Sequence, residues 1–130
     1  MNKTIMVVDD EQDFHALFKL MLENTGYEII SVYDGHEALE KLEETRPDLI
    51  ITDILLNMMT GDTLILHLKS MPEYADIPVI VVSSYPEHAY KNLKQVDPNL
   101  VYLDKAYLTK EKLLEEIDKK LIEQVEVIIR

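Results

Sequence analysis

Short, continuous apolar runs rich in β-branched residues punctuate this chain. Between them, apolar residues recur with a helical rather than an alternating period. Thr4–Val8 is the first run and stops at the acidic cluster Asp9-Asp10-Glu11. Phe14, Leu17, Phe18, Met21 and Leu22 then fall at i, i+3, i+4, i+7 and i+8, one face of a helix. Gly26 stands where a helix-ending glycine is expected. Residues 28–33 read as a second strand, Asp34-Gly35 turns the chain, and Ala38, Leu39 and Leu42 mark a second helix ended by Pro47. Leu49–Thr52 is a third strand that stops at Asp53, and Thr60 or Asp62 is placed to cap a third helix holding Leu64, Leu68 and Met71. Residues 77–82 form a fourth apolar run with Pro78 near its start, a short helix is expected from Pro86, and residues 100–103 form a fifth strand. A last helix starts near Thr109, with Leu113, Ile117, Leu121 and Val125 at four-residue spacing. The tail, residues 125–130, is β-branched and compatible with fraying, a longer helix or pairing with a partner.

Apolar runs without alternation belong in a sheet covered on both faces. Parallel strands need crossover connections, which the intervening helices supply. The order therefore predicts an α/β fold, (βα)5, with a five-stranded parallel sheet between two helical layers. A chain of 130 residues suits one domain, and 47% hydrophobic content suffices for a real core.

In such a sheet, ligands bind beyond the C-terminal ends of the strands. Asp9 and Asp10 follow the first strand, Asp53 the third, Ser83 and Ser84 the fourth, and Lys105 the fifth. Each alone is ordinary: an Asp pair caps helices, serines fill turns, a lysine decorates a surface. Together they place three carboxylates, hydroxyls and one ammonium on a single edge. The carboxylates repel one another and one lysine does not neutralise them, whereas a hard divalent cation such as Mg²⁺ does. With the charge shielded, one carboxylate becomes competent to attack a phosphoryl group. Its three charged oxygens would then be met by the cation, a serine hydroxyl and the lysine.

Other features exclude functions. The 25 acidic residues outnumber the 13 basic ones, a net charge of −12 that repels nucleic acid. No cysteine is present, so neither disulfides nor thiolate metal sites arise. No secretory h-region or membrane-length apolar stretch is seen, and a cytoplasmic location without membrane insertion is expected. His15, His36, His67 and His88 lack metal-ligand spacing and are assigned no role. The methionines read as packing, with Met58-Met59 placed to shield the site, and Gly26, Gly35 and Gly61 build no phosphate-cradling loop.

At these residues the sequence resembles the receiver domain of two-component response regulators, over roughly residues 3–122. The motifs are Ile5-Met6-Val7-Val8-Asp9-Asp10-Glu11, Tyr33-Asp34-Gly35-His36-Glu37-Ala38-Leu39, Pro47-Asp48-Leu49-Ile50-Ile51-Thr52-Asp53-Ile54 with Gly61 beyond it, Val81-Val82-Ser83-Ser84, and Tyr102-Leu103-Asp104-Lys105. The resemblance implies a doubly wound, flavodoxin-like sheet of order 2-1-3-4-5, and residues 1–130 as a single receiver domain. Asp53 would be the phosphoacceptor. Mg²⁺ would be held by Asp10, by Asp9 directly or through water, by Asp53 and by the Leu55 backbone carbonyl. Lys105 and Ser83 would bind the phosphoryl group, while Ser83 and Tyr102 would move as the switch. The donor would be a sensor histidine kinase or phosphotransfer protein, and a downstream protein would read the state. The chain would be a monomer or weak dimer through its last helices, and would catalyse only its own phosphorylation and slow dephosphorylation.

Two positions depart from the family pattern. Ala106 stands where a proline usually follows the lysine, so a trans Lys105–Ala106 bond is expected. Asn57 replaces a frequent proline after the phosphoacceptor. The resemblance implies that the residues two past Asp53 and two past Ser83 influence hydrolysis; here they are Leu55, which cannot position a water, and the bulky Tyr85, which predicts slow dephosphorylation. Leu55 also stands where an aspartate-nucleophile phosphatase would carry its acid–base, which weakens that alternative. A degenerate receiver acting as a phosphorylation-independent scaffold is the other alternative.

Overall fold

In the computed structural model, residues 2–84 and 91–129 are described. The helix start expected near Pro86, together with Tyr85 and His88, lies outside them. The elements alternate as β1 (Thr4–Val8), α1 (Gln12–Met21), β2 (Glu28–Val32), α2 (Gly35–Glu44), β3 (Leu49–Thr52), α3 (Gly61–Ser70), β4 (Val79–Ser83), α4 (Lys91–Val96), β5 (Val101–Asp104) and α5 (Lys110–Ile129). All pairings are parallel, and the sheet order is β2-β1-β3-β4-β5.

Strand parity sorts the core. Met6, Val8, Ile50, Val79 and Val81 face Ala38 and Leu42 of α2, Leu64, Ile65 and Leu68 of α3, and Leu93 of α4. Ile5, Val7, Leu49, Ile51, Ile80 and Val82 face Phe18 of α1 and Leu113, Ile117 and Leu121 of α5. Successive strand residues therefore bury on opposite sides, which is why the runs show no polar alternation.

Several boundaries shift from the sequence reading. β4 begins at Val79, because Pro78 has no N–H to donate and the Ile77 N–H is turned back onto the Tyr74 carbonyl. β5 begins at Val101, because the Leu100 N–H closes a turn on the Asp97 carbonyl. α2 ends at Glu44, before Pro47, with Thr45 donating its N–H to the Lys41 carbonyl. Gly26 does have a positive φ of 84°, but it is not the cap of α1. That helix ends at Leu22, whose carbonyl accepts from both the Thr25 N–H and the Thr25 hydroxyl. Thr60 precedes α3 as its N-cap residue but makes no side-chain cap bond. The last helix continues to Ile129, so the tail extends α5.

Candidate functional site

Strand order reverses direction between β1 and β3, since β1 connects outward to β2 while the chain returns to its other side for β3. The C-terminal edge at that point is where an open sheet leaves a crevice. Both strand exits there are pinned by the ladder. The Asp9 N–H donates to the Val32 carbonyl at 3.1 Å and the Asp53 N–H to the Val8 carbonyl at 3.0 Å.

Asp53 is 5% exposed. Its Oδ1 accepts from the backbone N–H groups of Ile54 (2.6 Å) and Leu55 (3.2 Å), while Oδ2 accepts from Lys105 Nζ at 2.8 Å. The loop after it folds back so that the Gly61 N–H reaches the Ile54 carbonyl at 2.8 Å. A Cβ at Gly61 would lie 2.0 Å from the Asp53 carbonyl oxygen, so only glycine allows this closure. Asp9 is buried; its Oδ1 accepts from the Glu11 N–H at 2.8 Å and its Oδ2 lies 2.9 Å from Lys105 Nζ. Ligand oxygens of Asp9, Asp10, Glu11 and Asp53 all lie within 4.8 Å of one another. Ser83 is fully buried at the end of β4, and the Tyr102 hydroxyl donates to its carbonyl at 3.1 Å.

Lys105 reaches this cluster from a short 3-10 turn, Lys105–Tyr107. Described peptide bonds are all trans, as expected with Ala106 in place of proline. The Ala106 N–H, which a proline would lack, donates to Asp104 Oδ1 at 2.8 Å and closes the turn.

Electrostatically, burial pushes the Asp9 carboxyl above its ordinary value, against the opposing hydrogen bonds from Lys105 and the Glu11 N–H. Burial alone would push the Lys105 ammonium down. The carboxylates of Asp53, Asp9 and Glu11 outweigh it and hold the ammonium well above its usual range. Four carboxylates against one ammonium leave three negative charges uncompensated when all are ionised. An oxygen-only, strongly anionic donor set of this kind fits a hard divalent cation.

The structure thus brings together Asp9, Asp10, Asp53 and Lys105, with Ser83 at the end of the adjacent strand and linked through its carbonyl to Tyr102. Three neighbours were not foreseen. Glu11 contacts Lys105 Nζ at 3.0 Å, and the Phe14 ring lies under the same ammonium, 3.9 Å from its centroid. His15, expected merely on a helix face, is buried with Nε2 2.7 Å from the Asp9 carbonyl oxygen.

A sequence model described as the response regulator receiver domain matches residues 5–121. The chain belongs to this family. Among its relatives, the polar-differentiation response regulator DivK of Brucella anthropi is 40% identical over 85 residues, 65% of this chain and 69% of that protein. The alkaline phosphatase synthesis transcriptional regulatory protein PhoP of Bacillus subtilis is 48% identical over 61 residues, 47% of this chain and a quarter (25%) of that one. A CheY-like receiver domain protein from Methanospirillum hungatei has the same fold, with a TM-score of 0.86 at 28% identity over 97% of this chain and 98% of that one. Receiver domains are signalling modules of two-component systems. Among the described residues, no helix is long and apolar enough to cross a membrane.

Proposed function

We propose that residues 1–130 act as a single phosphorylation switch, with Asp53 accepting a phosphoryl group in a Mg²⁺-dependent reaction. The observation that carries this reading is Lys105 Nζ lying 2.8 Å from Asp53 Oδ2 and 2.9 Å from Asp9 Oδ2 inside a buried carboxylate cluster. One Asp53 carboxylate oxygen forms a bond to phosphorus. The bond from phosphorus to the donor's leaving atom breaks, and the leaving group departs with that electron pair. Lys105 and the Ser83 hydroxyl then hold phosphoryl oxygens, and the two backbone N–H groups on Oδ1 keep the Asp53 carboxylate aimed. Asp9, Asp10, Asp53 and the Leu55 carbonyl would hold Mg²⁺, which supplies charge neutralisation for carboxylates and phosphoryl oxygens.

The output follows from the Tyr102 hydroxyl bonded to the Ser83 carbonyl. Movement of Ser83 toward a phosphoryl oxygen disturbs that bond and with it β5, altering the face of α4, β5 and α5 that a downstream protein reads. The reading takes a sensor histidine kinase or phosphotransfer protein as donor and the cytoplasm as location. The chain turns over no external substrate, since Leu55 provides no acid–base beside Asp53. Borohydride reduction after incubation with acetyl phosphate and Mg²⁺, followed by peptide mapping, tests it. Reductive conversion of residue 53 to homoserine is the expected result, and conversion at another carboxylate would contradict it.

A further inference from the structure

The Lys105 ammonium has three N–H donors, and three carboxylates occupy them: Asp53 at 2.8 Å, Asp9 at 2.9 Å and Glu11 at 3.0 Å. A phosphoryl oxygen arriving on Asp53 therefore finds no open donor and must displace one of these partners. The three are not equally held. Asp53 keeps its other oxygen on two backbone N–H groups, and Asp9 is buried with its other oxygen on the Glu11 N–H. The Glu11 side chain is 57% exposed and leaves for water at little cost. It is also not needed locally: Glu11 stands at the N-cap of α1 yet makes no side-chain cap bond there, and instead spans 94 residues of sequence to reach Lys105.

We infer that Glu11 is a latch on Lys105, occupying the donor that the phosphoryl group must take and so tuning how readily Asp53 is phosphorylated. The inference rests on Asp53 being the phosphoacceptor. Before transfer, Glu11 and the Phe14 ring hold the lysine from the α1 side. During transfer, one Asp53 oxygen bonds to phosphorus and the donor's leaving group departs with the electron pair of the broken bond. The negative charge of Asp53 moves outward onto the phosphoryl oxygens, and the Glu11 carboxylate yields Lys105 to one of them.

The latch needs both charge and reach, and two variants remove one each. Glu11→Gln removes the charge. Glu11→Asp keeps it but is one methylene shorter and loses its reach to Lys105. Phosphorylation of the whole chain by acetyl phosphate, below saturation and in saturating Mg²⁺, is followed by intact mass for wild type and both variants. Each variant is expected to gain phosphate roughly two- to fivefold faster, the effect of releasing an exposed ion pair. Unchanged or slower Glu11→Gln, or Glu11→Asp indistinguishable from wild type, would overturn the latch while leaving the phosphoacceptor intact. Failure of the wild type itself to gain phosphate would overturn the underlying reading and the latch with it.

Discussion

At Lys105 one ammonium meets three carboxylates, of which those of Asp53 and Asp9 are buried and that of Glu11 is exposed. Asp9, Asp10, Asp53, Ser83 and Lys105 were legible in the sequence because each follows an apolar run that can only be a strand, and strand ends converge. Glu11 and Phe14 were not legible as Lys105 partners, because their contact depends on the phase of α1 and on a side chain 94 residues away. A different residue pair carries a pH prediction. The Tyr27 hydroxyl donates to Asp118 Oδ1. Burial, and then that carboxylate, push the tyrosine from 10.0 up to about 12. A group whose folded value is raised contributes stability that is complete below its unfolded value and is lost as pH climbs through the folded one. Wild type should therefore exceed Tyr27→Phe in stability below pH 10, and the gap should close as pH rises toward about 12. Denaturant melts of both proteins across that range check it; a gap that widens with pH would contradict the assignment.

At the scale of elements, the starts of β1, β2 and β3 fall where the sequence places them, and those of β4 and β5 do not. Asp34 was read as turning the chain, and it caps α2 with its Oδ1 accepting from the Glu37 N–H at 2.8 Å, while Glu37 Oε2 accepts from the Tyr33 N–H at 3.0 Å. Asp34→Ala should lower stability by about 1 kcal/mol, seen as a shifted urea midpoint at unchanged slope. A midpoint equal to wild type would show that the bond adds nothing. The beginnings of β4 and β5 were misplaced because hydropathy does not report where an N–H is spent. Ile77 and Leu100 are as apolar as their strands, yet their N–H groups close turns. The β5–α5 junction shows the opposite case. There the missing proline predicted a trans bond, and the N–H that Ala106 retains is what closes the turn presenting Lys105.

For the whole molecule, the alternation of elements determined both the parallel sheet and the edge on which the site lies. The parity of each residue along its strand decided which helical layer it packs against. At that edge burial, and only lastly the neighbouring Asp53 charge, pushes the Asp9 carboxyl above its ordinary value. A cation that binds only the folded cluster stabilises it by mass action, about 2.7 kcal/mol at a hundredfold excess over its dissociation constant. Saturating Mg²⁺ should raise the Tm of wild type and do so much less in Asp53→Asn; an unchanged Tm would count against the cation site. Phosphorylation of Asp53 is read out by the intact mass of the chain after exposure to acetyl phosphate, with Mg²⁺ or with chelator. A single added phosphoryl group, dependent on Mg²⁺ and absent from Asp53→Asn, is the predicted result. Equal phosphorylation of Asp53→Asn, or no adduct on the wild type in saturating Mg²⁺ and donor, would contradict it.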